Sequence, residues 1–86
     1  MTLTPQEINK SALTAALIVQ STADSVLQEL LVQLRNGAER SMFTTRMHES
    51  LARATHRSLA DISVEYIEDV VTRIFTTLER KFARTQ

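Results

Sequence analysis

The sequence predicts an all-α fold: a small bundle of three helices, paired as a homodimer. Three observations predict it. One glycine and one proline in 86 residues are too few for a fold built on turns. No stretch alternates apolar and polar residues between turn signals, as a half-buried strand would. Three stretches instead repeat their apolar residues at helical spacing, and the last of them does so on two sides.

The first helix is expected over residues 5–35. Thr4, Pro5 and Glu7 supply an N-cap, a first-turn proline and the acidic partner of a capping box. From there Ile8, Ala12, Ala15, Val19, Ala23, Val26 and Leu30 stay within about 80° of one another. That phase passes through Gln20, Ser21 and Thr22, which favours one continuous helix over a break near Ser21. Asn36 and Gly37 mark its end, with glycine free to take the left-handed conformation that closes a helix. Unbroken, such a helix is about 46 Å long. A compact chain of this size has a radius of gyration near 12 Å, so the helix would overhang its own fold. Residues 12–19 are apolar on nearly every side, but the run is short and no arginine precedes it. It therefore reads as buried helix rather than a secretory leader, and it is too short to span a membrane.

The middle helix is expected over residues 41–57, capped by Ser41, with Phe43, Met47, Leu51 and Ala54 as a narrow apolar stripe. The third is expected over residues 59–83, with Ser58 as its cap. On it Ala60, Val64, Ile67, Val71, Ile74, Leu78 and Phe82 share one face, while Leu59, Ile62, Tyr66 and Val70 make a second stripe. One face suits an intrachain core. The second is the best candidate for a partner or dimer interface, with Tyr66 as anchor because tyrosine joins apolar area to a polar tip.

The absence of cysteine excludes a disulfide scaffold and thiolate metal sites. Formal charge is zero overall but uneven: −2 over residues 1–34, +3 over 35–57 and −1 over 58–86. The central excess is arginine. Arg46, Arg53 and Arg57 fall within about 40° of one another on the middle helix, with Arg40 just upstream. Guanidinium forks in a row suit carboxylates or phosphates, so Arg40, Arg46, Arg53 and Arg57 are the candidates for an acidic protein or nucleic acid. An ordinary i,i+4 pair between Glu49 and Arg53 is the structural alternative. His48 and His56 have no carboxylate at ligand spacing, and no glycine-rich loop, thiol or flanked pair of carboxylates is present. No enzyme, metal or cofactor is expected, and a cytoplasmic location without membrane attachment is.

The run from Ser25 through Leu27, Leu30, Leu31 and Leu34 to Asn36 and Gly37, with Ser50, Leu51 and then Leu59, Ala60 and Asp61, resembles the small enterobacterial biofilm and acid-resistance regulators of the YmgB type. The resemblance covers about half the chain. It implies an all-helical dimer that acts through protein contacts. The sequence reading is thus a non-catalytic regulatory, adaptor or inhibitor protein, of the phage- or plasmid-modulator or signalling-regulator kind. The alternative is a dimeric nucleic-acid-binding regulator using the arginine row.

Overall fold

A computed structural model describes residues 3–83 as an all-α bundle, but with four helices rather than three. They are α1 (Pro5–Ser21), α2 (Asp24–Arg35), α3 (Gly37–Ala54) and α4 (Val64–Phe82), with a single 3₁₀ turn at Leu59–Asp61 between the last two.

The expected 5–35 helix is broken at Thr22 and Ala23, both in extended conformation. The Thr22 hydroxyl donates to the Ile18 carbonyl at 2.7 Å, and no side chain caps α2. The break also ends the phase that suggested continuity. In α2 the buried residues are Leu27, Leu31 and Leu34, with Leu30 half-buried against the core, whereas Val26 is 51% exposed. The three buried leucines lie about 100° round from the α1 face. Two extended residues re-aim the chain and let α2 fold back over the end of α4, where Asp24 meets Lys81 at 3.3 Å. Breaking the helix lets its second half bury three leucines that a straight continuation would have carried beyond the fold. The body measures 40 × 25 × 23 Å, with a radius of gyration of 13.1 Å.

The N-terminus of α1 forms as its residues dictate. Thr4 and Glu7 make the reciprocal bonds of a capping box, at 3.0 and 3.2 Å, and Pro5 opens the helix. Gly37 behaves differently from expectation. It has no positive φ and begins α3, while Asn36 serves both as the last cap of α2 and the first of α3. The Asn36 side chain accepts the Glu39 N–H at 3.1 Å, so α3 starts four residues before Ser41.

The left-handed residue is His56, with φ 56°. Its N–H bonds to the Arg53 carbonyl at 3.2 Å and the Arg57 N–H to the Ala52 carbonyl at 2.9 Å, the paired closure of a Schellman motif. A side chain at that position is strained. His56→Gly should therefore raise stability by about 0.5 kcal/mol once glycine's larger unfolded entropy is subtracted. A thermal melt should show a gain of about 2–4 °C; a loss would mean the imidazole makes a contact of its own.

The last helix begins at Ser63 rather than Ser58. The Ser63 hydroxyl accepts the Tyr66 N–H at 3.3 Å, while Ser58 donates to Asp61 at 2.9 Å and steadies the 3₁₀ turn. α4 is the axis of the bundle. Ile67, Val70, Val71, Ile74 and Leu78 are each at most 1% exposed, and Phe82 is also buried. α1 runs alongside α4 in the same direction, Glu7 and Lys10 lying by Ser63 and Tyr66, and Gln20 by Thr77 and Arg80. α2 and α3 cover the other side. Val64 (51% exposed) and Ala60, which share the apolar phase on paper, stay open because they precede the covered part of the helix.

Candidate functional site

Two polar clasps join α1 to α4. In the first, Ser11 is fully buried on the inner side of α1, its hydroxyl within hydrogen-bond distance of the Ile8 carbonyl and the Asp69 carboxylate. Arg73 Nε donates to the same Asp69 oxygen at 2.9 Å and to Ser11 Oγ at 3.2 Å. Burial pushes the Asp69 carboxyl up, but the hydrogen bonds from Ser11 and Arg73, with the Arg73 charge, outweigh it and hold the group below its usual value. In the second clasp, Thr14 Oγ1 and the Tyr66 hydroxyl lie 3.0 Å apart. Sequence reasoning missed the Ser11–Asp69–Arg73 group. Its available signal was a serine interrupting the apolar face of α1 and an aspartate four residues before an arginine.

A third tie holds the 3₁₀ turn to α3. His48 Nε2 lies 3.1 Å from the Leu59 carbonyl and 3.0 Å from that of Ile62. Carbonyl oxygens only accept, so this nitrogen carries the proton.

The second apolar stripe of the last segment does not stay together as one open surface. Ile62 and Val70 are buried by the chain's own helices, Tyr66 is half-buried and Leu59 is 47% exposed. The arginine candidates divide too. Arg40 Nη2 donates to Thr72 Oγ1 at 3.0 Å, and its guanidinium stands 5.0 Å from the centre of the Phe75 ring, so this residue docks α3 on α4. Arg46, Arg53 and Arg57 are exposed. The ion pairs among the described residues are Asp69–Arg73 and Asp24–Lys81, so Glu49 does not hold Arg53.

An open and mostly apolar cleft lies between these groups. α1 and α3 flank α4 without closing on each other, leaving a cleft of about 250 Å³. Thr14 and Ile18 form one wall, Met47, Ser50, Leu51 and Ala54 the other, and Tyr66, Ile67 and Val70 the floor. Its polar side-chain atoms are three hydroxyls, two of them engaged with each other in the Thr14–Tyr66 clasp. Leu51 and Tyr66 also line a neighbouring, charged depression with Lys10, Arg57, Glu7 and Asp61. The two make one groove, apolar at one end and mixed in charge at the other. Arg46 and Arg53 flank Ser50 on the outer side of the α3 wall.

Among the described residues no group of three or more His, Asp or Glu could hold a metal ion, and no helix is long and apolar enough to cross a membrane. In comparisons with known proteins, no family model, no curated protein and no solved structure matches the chain.

Proposed function

We propose that this chain is a non-catalytic regulatory, adaptor or inhibitor protein that works as a homodimer and acts by binding a protein partner. The observation that carries the reading is the open apolar cleft between α1 and α3. At about 250 Å³ it is smaller than the pockets that enclose metabolites, and it lacks their converging polar groups. It has the size and lining to take an apolar side chain presented by another protein, the usual anchor of a protein interface. The exposed Arg46 and Arg53 beside it add a rim suited to carboxylates. A modulator of a host complex, or a regulator in a signalling pathway, needs no more chemistry than this.

The arginine row also supports a second reading, a nucleic-acid-binding dimer, because Arg46, Arg53 and Arg57 stand exposed with no ion-pair partner among the described residues. Salt separates the two. Capture from the native host on immobilised protein should survive a rise from about 0.1 to 0.5 M salt if an apolar interface holds the partner. Binding to DNA or RNA should fall by orders of magnitude as counterions are released. Arg46→Glu with Arg53→Glu should weaken capture of an acidic protein at least tenfold while changing stability by less than about 1 kcal/mol, as exposed charges do. Salt-sensitive capture of nucleic acid alone would overturn the protein-partner reading.

A further inference from the structure

α1 and α4 form a second groove on the side of α1 away from the cleft. Thr14 and Ile18 line the cleft, whereas Ala12, Ala15, Ala16 and Val19 line this groove, which holds about 530 Å³. Its other wall is α4 from Asp69 to Arg80, about 16 Å of helix. The two walls run in the same direction, so the groove follows both. It is shallow because its side chains are short. Apart from Gln20, the α1 wall offers nothing larger than valine. On α4 the Thr76 and Thr77 hydroxyls donate to the Thr72 and Arg73 carbonyls of their own helix, at 2.9 and 2.7 Å. Short side chains let a further helix approach to about 8 Å between axes. An open trough between parallel helices suits an amphipathic helix better than a small ligand, which needs a pocket that encloses it.

The charge along the groove is one-sided. Arg73 and Arg80 lie two turns apart on one face of α4, about 10 Å along its axis. Asp69 is the acid of the lining, and its carboxylate already accepts from Arg73 Nε and the Ser11 hydroxyl. Both hydrogen bonds of Arg73 use Nε, which leaves its terminal nitrogens to a ligand. Arg80 has no ion-pair partner among the described residues. Two arginines against one aspartate leave a single positive charge beside an apolar wall. That is too little for a nucleic-acid backbone, which binds through many phosphates. It complements carboxylates set at the same two-turn spacing. We infer that the α1–α4 groove seats an acidic amphipathic helix of a partner protein, its small-residue face on Ala12 and Ala16 and its carboxylates on Arg73 and Arg80. This goes beyond the reading of the cleft and does not depend on it. A chain that holds one protein in the cleft has here a separate seat for another, as an adaptor requires.

The test titrates the full chain, isotope-labelled for amide spectra, with a stapled helical peptide bearing alanine on one face and two glutamates two turns apart. A twin peptide carries glutamine in their place. Amide signals should move at Ala12, Ala16, Gln20, Thr76 and Arg80. The glutamate peptide should bind at least tenfold more tightly than its twin. Arg80→Glu should weaken binding at least tenfold, and the peptide with lysine for one glutamate should restore part of the loss. Ala16→Tyr should block the groove without altering charge. Both positions are exposed, so helical circular dichroism should be unchanged. Arg73 is kept, because it holds the Ser11–Asp69 clasp.

No binding near millimolar peptide, equal binding of the two peptides, or an Arg80→Glu chain that binds as wild type does would overturn the inference. A DNA duplex that displaces the glutamate peptide from the groove would overturn it in favour of nucleic acid. Ser50→Arg, in the wall of the cleft, should leave peptide binding unchanged. If it abolishes binding, the peptide sits in the cleft: the groove inference fails while the protein-binding reading stands. A peptide that binds the groove of a chain whose host capture yields only nucleic acid would uphold the inference and overturn the reading of the cleft.

Discussion

Val70→Asp is expected to abolish the cooperative unfolding transition, whereas Leu59→Asp is expected to leave the chain folded. The two residues share one stripe on a helical projection, but Val70 is fully buried while Leu59 sits 47% exposed on the 3₁₀ turn. A carboxylate in Val70's place would be driven to its neutral form. Neutralising a carboxyl whose ordinary pKa is near 3.9 costs about 4 kcal/mol at pH 7, and the lost valine burial adds about 1.5 kcal/mol. A chain of 86 residues has roughly 4–13 kcal/mol of stability in total. Leu59 contributes its carbonyl, which holds His48, and that group survives substitution. Circular dichroism with urea or heat checks the pair. A folded, soluble Val70→Asp monomer would overturn the placement of Val70 in the core and return it to the interface.

Asp69→Asn should cost about 1 kcal/mol at neutral pH, and the cost should disappear in acid. The carboxylate accepts from Ser11 and Arg73, and charge-assisted bonds exceed neutral ones by roughly 1 kcal/mol each. Water reaches the outer edge of the pair, where the Arg73 side chain is 37% exposed, which trims that figure. The sign follows from the depressed folded-state pKa. The contribution is fully present above the unfolded value near 3.8 and is lost as pH falls through the lower folded value. Melting curves of the two proteins should therefore differ by about 4–8 °C at pH 7 and converge below the ordinary aspartate range. A gap that persists at pH 2 would mean the substitution acts through packing rather than charge.

These two residues show where sequence reasoning had purchase. The capping box at Thr4 and Glu7, the apolar face of α4 from Ile67 to Phe82 and the exposure of Arg46, Arg53 and Arg57 all follow from spacing, and each appears where spacing put it. The continuity of α1 into α2 did not follow, because two phases coexist between Ala23 and Leu34. The inward phase that extends α1 (Ala23, Val26, Leu30) and the one that packs (Leu27, Leu31, Leu34) are both helical. Choosing between them depends on what lies beside the helix. Gly37 misled for a related reason. A glycine after an apolar run is compatible with a left-handed cap, but Asn36 already supplies both caps, and the left-handed residue is His56, a residue type that announces nothing.

The candidate site was legible in its ingredients and not in its assembly. By spacing alone Tyr66 and Val70 fall on one apolar side of the last helix. Whether they form a surface depends on how closely α1 and α3 approach each other over α4, a distance that no local pattern encodes. Thr14 on the α1 wall bonds Tyr66 on the α4 floor while α3 stands apart from α1, which turns an expected stripe into a cleft.

By itself the sequence determined the all-α class, the start of α1 and the apolar face of the last helix, because these are matters of periodicity and capping within a few residues of chain. Only the tertiary structure decided that there are four helices, that α4 lies at the centre, and that a cleft stays open between α1 and α3. Those outcomes are set by which surfaces exclude water from one another, and residues far apart in the chain settle that together.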